Sequence, residues 1–152
     1  ADTIPAGSLQ RLMTQVDFYI LQDETARARP LLTCRLTEKA WKQGHRVYIN
    51  TDSQQQAGEL DDLLWTFRAG SFIPHAVYTE ADSELPVALG HAREPDGFDD
   101  VLVNLATAVP PYFSRFDRVA ELVGADAEQR AAARERYRYY QDRGYTLKTH
   151  KL

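Results

Sequence analysis

The chain has 152 residues, 43% hydrophobic and 26% charged, with a formal charge of −4 and one cysteine. That length fits one domain with a core large enough to need no staples. Cys34 has no partner for an internal disulfide, which fits a reducing, cytoplasmic setting; no apolar run approaches the roughly 20 residues of a membrane span, and no signal peptide is expected.

Residues 1–12, ADTIPAGSLQRL, show no periodicity and read as a vector-derived leader; the domain is expected over 13–152. QVDFYIL (15–21) is β-branched and aromatic, the pattern of a buried strand. In 28–44, Leu31, Leu32, Cys34, Leu36, Ala40 and Trp41 recur at helical spacing, and Gly44 stands where a C-terminal cap belongs. HRVYIN (45–50) predicts a second strand, and 51–67 a second helix capped by Asp52 or Ser53. GSFIPHAVY (70–78) predicts a short extended segment interrupted by Pro74. LPVALGH (85–91) and DDVLVNL (99–105) predict further strands, separated by loops rich in acids, Gly and Pro. The apolar residues of 111–124 fall at helical spacing, and a helix closed by Gly124 is expected there. DAEQRAAARERYRYYQDRG (126–144) predicts the last helix, from Asp126 to Gly144, and YTLKTH (145–150) the last strand. Strands apolar on both faces, alternating with helices, imply a single three-layer α/β domain: a mostly parallel sheet with helices on both sides.

Such a sheet prompts a search for a nucleotide. The first strand is followed by LQDETARARP, which has no glycine, so backbone amides cannot cradle a phosphate in the usual way. His45, His75, His91 and His150 are scattered, and none pairs with Cys34 at ligand spacing; no metal or other cofactor is expected. Cys34 sits on an apolar helical stripe and reads as core. Asp61–Asp62 and Asp99–Asp100 are sequence neighbours whose side chains diverge, so they suit water better than shared acid–base work. Ser71 and Ser114 have no nucleophile context. These features predict a non-catalytic binding protein on an enzyme-like scaffold.

Charge is uneven. Residues 129–152 hold seven Lys and Arg against two acids, a local +5 on an acidic body. Within RERYRYYQDRGY (134–145), Ala133, Tyr137, Tyr140 and Gly144 share one helical stripe, and Arg130, Arg134, Arg138 and Gln141 the next. Either the tyrosines pack on the sheet while the arginines face water, or the two stripes edge a pocket. Such a pocket would have an apolar wall at Tyr137 and Val123, with Arg134 and Arg138 at its rim, suited to an acidic peptide with a free carboxylate. A single nucleic acid strand stacking on the tyrosines is an alternative, disfavoured by the acidic body. Separately, Leu60, Leu64 and Phe67 form the core stripe of the second helix and leave Trp65 off it. With Phe72 beside Pro74, Trp65 has the character of an interface anchor, unless the core wraps further round.

DFYIL, CRLTEKAWKQGHRVYINTDSQQQAGELDDLLW, SFIPH and ARERYRYYQDRGYTL together resemble the chi subunit family of bacterial DNA polymerase III holoenzyme, over nearly all of 13–150. The resemblance implies a nucleotide-binding-like fold without the phosphate loop, and no catalysis. It implies a bridge from the psi subunit of the clamp loader to the acidic C-terminal tail of single-stranded DNA-binding protein, touching DNA only indirectly. Some members also pair with an accessory helicase. It places tail binding at Arg134 and Tyr137, with Arg130, Arg138, Val123, Gly144, Tyr145 and Thr149 around them. Gln141 stands where the family can carry a basic residue, with Arg143 nearby. The psi-facing anchors are Trp65, Phe72 and Pro74. The rival readings are a small α/β nucleotide-binding protein and a direct single-stranded DNA binder.

Overall fold

A computed structural model describes residues 14–79 and 84–152; the expected leader at 1–12 lies outside them. Within these residues seven strands form one sheet: β1 (Gln15–Ile20), β2 (Val47–Thr51), β3 (His75–Val77), β4 (Val87–His91), β5 (Val101–Asn104), β6 (Arg118–Val123) and β7 (Thr146–Lys151). Their order is β3-β4-β2-β5-β6-β1-β7, and every neighbouring pair is parallel. Among the described residues three α-helices complete it: α1 (Ala28–Lys42), α2 (Gln54–Thr66) and α3 (Ala127–Asp142). None of the described helices is long and apolar enough to cross a membrane.

The chain steps one way across the sheet from β1 through α1 to β2 and through α2 to β3. It steps the other way from β6 through α3 to β7. Right-handed crossovers in opposite directions place helices on opposite faces. The core divides accordingly. Cys34 of α1 and Ala57, Leu60 and Leu64 of α2 pack with Val47, Ile49, Val87, Leu89 and Leu122. Ala133 and Tyr140 of α3 pack with Val16, Phe18, Leu102, Val119 and Val123. Alternate residues of β2, β5 and β6 feed the two layers, as strands buried on both faces require.

Local signals set the helix ends. The Ser53 Oγ accepts the Gln56 amide at 3.0 Å, and the Asp126 carboxylate accepts the Gln129 amide at 2.8 Å. Gly44 and Gly144, with φ of 88° and 82°, adopt the left-handed conformation that ends α1 and α3.

One expected element is different. Residues 111–124 are not a helix but a short 3₁₀ turn, Phe113–Arg115, followed by β6. RVAELV is a strand buried on both faces, so its apolar residues run nearly unbroken, which periodicity alone cannot separate from a helix. Glu121, the acid within this strand, is fully buried. Gly124 therefore caps nothing; its amide donates to the Gln129 side chain at 2.8 Å. Cys34 is buried as expected, and burial pushes its thiol up to about 12.

Candidate functional site

The basic–aromatic helix is pinned by a buried polar network. Arg136 Nε donates to Glu121 Oε1 at 2.9 Å, and the Tyr140 hydroxyl donates to Oε2 at 2.6 Å. Asn104 Nδ2 reaches the same carboxylate at 3.0 Å, and Arg136 Nη1 donates to the Thr107 carbonyl at 3.0 Å. Burial pushes the Glu121 carboxyl up, opposed by the Arg136 charge and these hydrogen bonds. Burial beside Glu121 likewise drives the Tyr140 phenol well above its usual range. Ala133, Arg136 and Tyr140 are thus the sheet-facing stripe of α3. Arg136, one of the cations counted at the sequence level, is consumed inside the fold.

Fixing that stripe turns the adjacent one toward a groove of about 480 Å³. Its floor is Phe18 and Ile20 of β1, Thr149 and Lys151 of β7, and Val123 at the end of β6. Its wall is Arg130, Ala133, Arg134 and Tyr137 of α3, and Gln22 closes one end. The half-buried Tyr137 ring packs on Phe18 with centroids 5.2 Å apart. Arg130 Nη2 donates to the Leu21 carbonyl at 3.1 Å, while its buried Nε has no partner among the described residues. Arg134 is exposed, and its side chain makes no ion pair or hydrogen bond among the described residues. Among the described residues, no carboxylate lines the groove. Three cations around a tyrosine edge and an apolar floor have the chemistry to hold an anion attached to an apolar group.

The structure brings Val123, Arg130, Arg134, Tyr137 and Thr149 to this groove and leaves three other expected residues off its lining. Arg138 pairs with Glu135 at 3.1 Å on the exposed side of α3. Gly144 shapes the helix end, and Tyr145 is buried against Phe113 at 5.0 Å. Arg143 stacks on Tyr139 at 3.5 Å. Sequence reasoning missed Phe18, Ile20, Gln22 and Lys151. Their signal is the register Phe18↔Thr149 and Ile20↔Lys151, legible only once β1 and β7 are known to be neighbours.

The second group lies near the opposite edge of the sheet, around α2 and β3. Leu60 and Leu64 enter the core, leaving Trp65 51% exposed; Phe72 is 76% exposed and Pro74 is exposed beside it. Hydrogen bonds and buried neighbours fix the backbone that carries them. Arg68 donates to Glu38 at 2.8 Å, and the Ser71 hydroxyl also bonds that carboxylate. Ser71 and Ile73 are buried, so alternation turns Phe72 outward. The Trp65 ring rests on His75 at 4.2 Å, and that imidazole sits between the carbonyls of Ile73 and Asp61, at 2.6 and 2.8 Å. With strands about 4.8 Å apart, edges six intervals apart are separated by roughly 30 Å.

Among the described residues, no three His, Cys, Asp or Glu side chains gather as a metal site. The family "DNA polymerase III chi subunit, HolC" matches residues 13–148. The chain is 45% identical over 140 residues to the DNA polymerase III subunit chi of Pseudomonas aeruginosa, covering 92% of this chain and 98% of that protein. It is 30% identical over 143 residues to the subunit chi of Escherichia coli K12, covering 90% and 97%. The Haemophilus influenzae subunit chi is 29% identical over 134 residues, covering 87% and 93%. Among solved structures, T4 UvsW shares the fold alone: its TM-score is 0.61 at 10% identity, over 93% of this chain and 42% of that one. The chain belongs to the DNA polymerase III chi subunit, HolC, family.

Proposed function

We propose that this protein is a non-catalytic accessory subunit of DNA polymerase III in the bacterial cytoplasm. It joins the psi subunit of the clamp loader to the acidic C-terminal tail of single-stranded DNA-binding protein. The observation that carries this reading is the groove, where, among the described residues, Arg134 stands unpaired beside Tyr137 and no carboxylate competes for it. A terminal aromatic ring enters over Phe18, Ile20 and Val123, and its free carboxylate meets the guanidinium of Arg134. Upstream acidic residues meet Arg130 and Lys151. Trp65, Phe72 and Pro74 receive psi, or an accessory helicase in its place. The separation of the two surfaces lets both partners bind together. DNA is reached only through the partners.

Calorimetric titration with an acidic peptide ending in phenylalanine tests this directly. The free-acid peptide is expected to bind, and to weaken as salt screens the exposed rim. Its C-terminally amidated form is expected to bind at least tenfold more weakly, because the charge-assisted bond is lost. Equal affinity for the two peptides sinks the reading. So does tight binding of ATP, or of an oligonucleotide with no other protein present.

A further inference from the structure

β7 ends the sheet and pairs only with β1 among the described residues. The Leu152 amide donates to the Ile20 carbonyl at 3.0 Å, and the Gln22 amide donates to the Leu152 carbonyl at 3.2 Å. In a parallel ladder the residues bonded to one neighbour alternate along the strand. Thr146, Lys148 and His150 therefore face β1 with both backbone groups, as Leu152 does. Leu147, Thr149 and Lys151 turn theirs outward, and no hydrogen bond among the described residues takes them. Thr149 and Lys151 also line the groove, so the groove opens directly over this unused edge.

An open edge invites pairing, and lysines on it normally discourage that. Here Lys148 and Lys151 lie on opposite faces, both exposed, and the strand TLKTHK has no carboxylate. Positive charge on both faces repels a second copy of the same edge and attracts an acidic strand.

We propose that β7 takes an extended acidic peptide as an eighth strand of the sheet, continuous with the segment whose end occupies the groove. The proposal rests on the groove reading above. Pairing from Leu147 to Lys151 needs about five peptide residues at roughly 3.3 Å each. Only peptides extending well beyond the terminal carboxylate engage the edge.

Amide hydrogen exchange on the whole chain, followed by NMR, tests this with two peptides. One is a tetrapeptide of three aspartates and a terminal phenylalanine with a free carboxylate. The other extends it to twelve residues with alternating Asp. Both are expected to shift the Arg134 and Tyr137 signals. Only the longer one is expected to slow the Leu147, Thr149 and Lys151 amides, by at least tenfold, leaving Lys148 and His150 as they were. Thr149→Pro removes an outward N–H without removing a bond to β1. It is expected to abolish the affinity that the long peptide gains over the short one, whereas Thr149→Ala keeps it. If the long peptide shifts the groove signals but leaves those three amides unchanged, the edge proposal is wrong and the groove reading stands. Slow exchange at these amides without peptide, growing with protein concentration, assigns the edge to a second copy and overturns the proposal. If neither peptide shifts the groove signals, both readings fall.

Discussion

Arg136 Nε lies 2.9 Å from the Glu121 carboxylate, and Glu121 has no exposure to solvent. The pair ties the middle of α3 to β6, so the groove wall is held by an interaction that lies off the groove lining. Arg136→Leu leaves a buried carboxylate without its cation, a loss of about 3–5 kcal/mol. Replacing both residues with methionine removes the stranded charge and is expected to recover much of that. Urea denaturation midpoints of the three proteins check both expectations.

Arg134 and Arg138 are one helical turn apart, yet only Arg134 borders the groove. Arg134→Ala is expected to weaken an acidic free-acid peptide at least tenfold. Arg138→Ala is expected to change affinity less than threefold, because that side chain is 67% exposed and already shared with Glu135. Calorimetry with one peptide against both variants separates them, and equal losses contradict the assignment of Arg134 as the principal contact.

Gly90 on β4 has no room for a side chain. An added Cβ falls 2.0 Å from the Tyr48 hydroxyl, whose buried ring is held by a bond to the Arg93 carbonyl at 3.0 Å. Gly90→Ala is expected to lose about 1–3 kcal/mol by overpacking, read as a lower thermal midpoint. Gly58 on α2, with nothing within 4 Å, is the control: Gly58→Ala is expected to be neutral or stabilising.

Glu38 is held below the usual carboxylate range by hydrogen bonds from Arg68 and Ser71. Asp17 is raised by burial but lowered further by His150, Arg118 and Gln15, so it too ends depressed. A depressed acid binds fewer protons folded than unfolded. Its contribution is present above an unfolded pKa near 4 and is lost as pH falls through the folded value. Urea midpoints measured downward from pH 6 are expected to drop below about pH 4. Glu38→Gln is expected to make that drop shallower.

The Cys34 thiol, buried and pushed up to about 12, is expected to resist a disulfide-exchange reagent at pH 8. Reaction in native buffer is expected only at the rate of unfolding, and complete reaction in denaturant. A fast native phase contradicts the core placement.

The legible parts of the fold were those with local causes. The β1, α1, β2, α2 succession follows from apolar spacing, from a cap at Asp52 or Ser53 and from Gly44 beyond a helix end, all readable within a few residues. The missing phosphate loop after β1 is a local absence of glycine. Trp65 stood out because it breaks the spacing of Leu60 and Leu64. β6 was illegible for an equally definite reason: RVAELV lies buried on both faces, so its alternation vanishes, and its acid is neutralised by a residue fifteen positions away.

The sequence by itself determined an α/β chain with a cationic, tyrosine-rich last helix and, elsewhere, aromatic residues off the core stripe. These depend on residue type and short-range spacing. Only the tertiary structure decided the use of each arginine. Arg136 meets Glu121 inside the core, Arg138 meets Glu135 in water, and Arg134 stands beside a floor supplied by β1 and β7. All three carry the same charge in the sequence. What differs is the dielectric and the partner around each guanidinium, and those are set by strand order, which brings together segments more than a hundred residues apart.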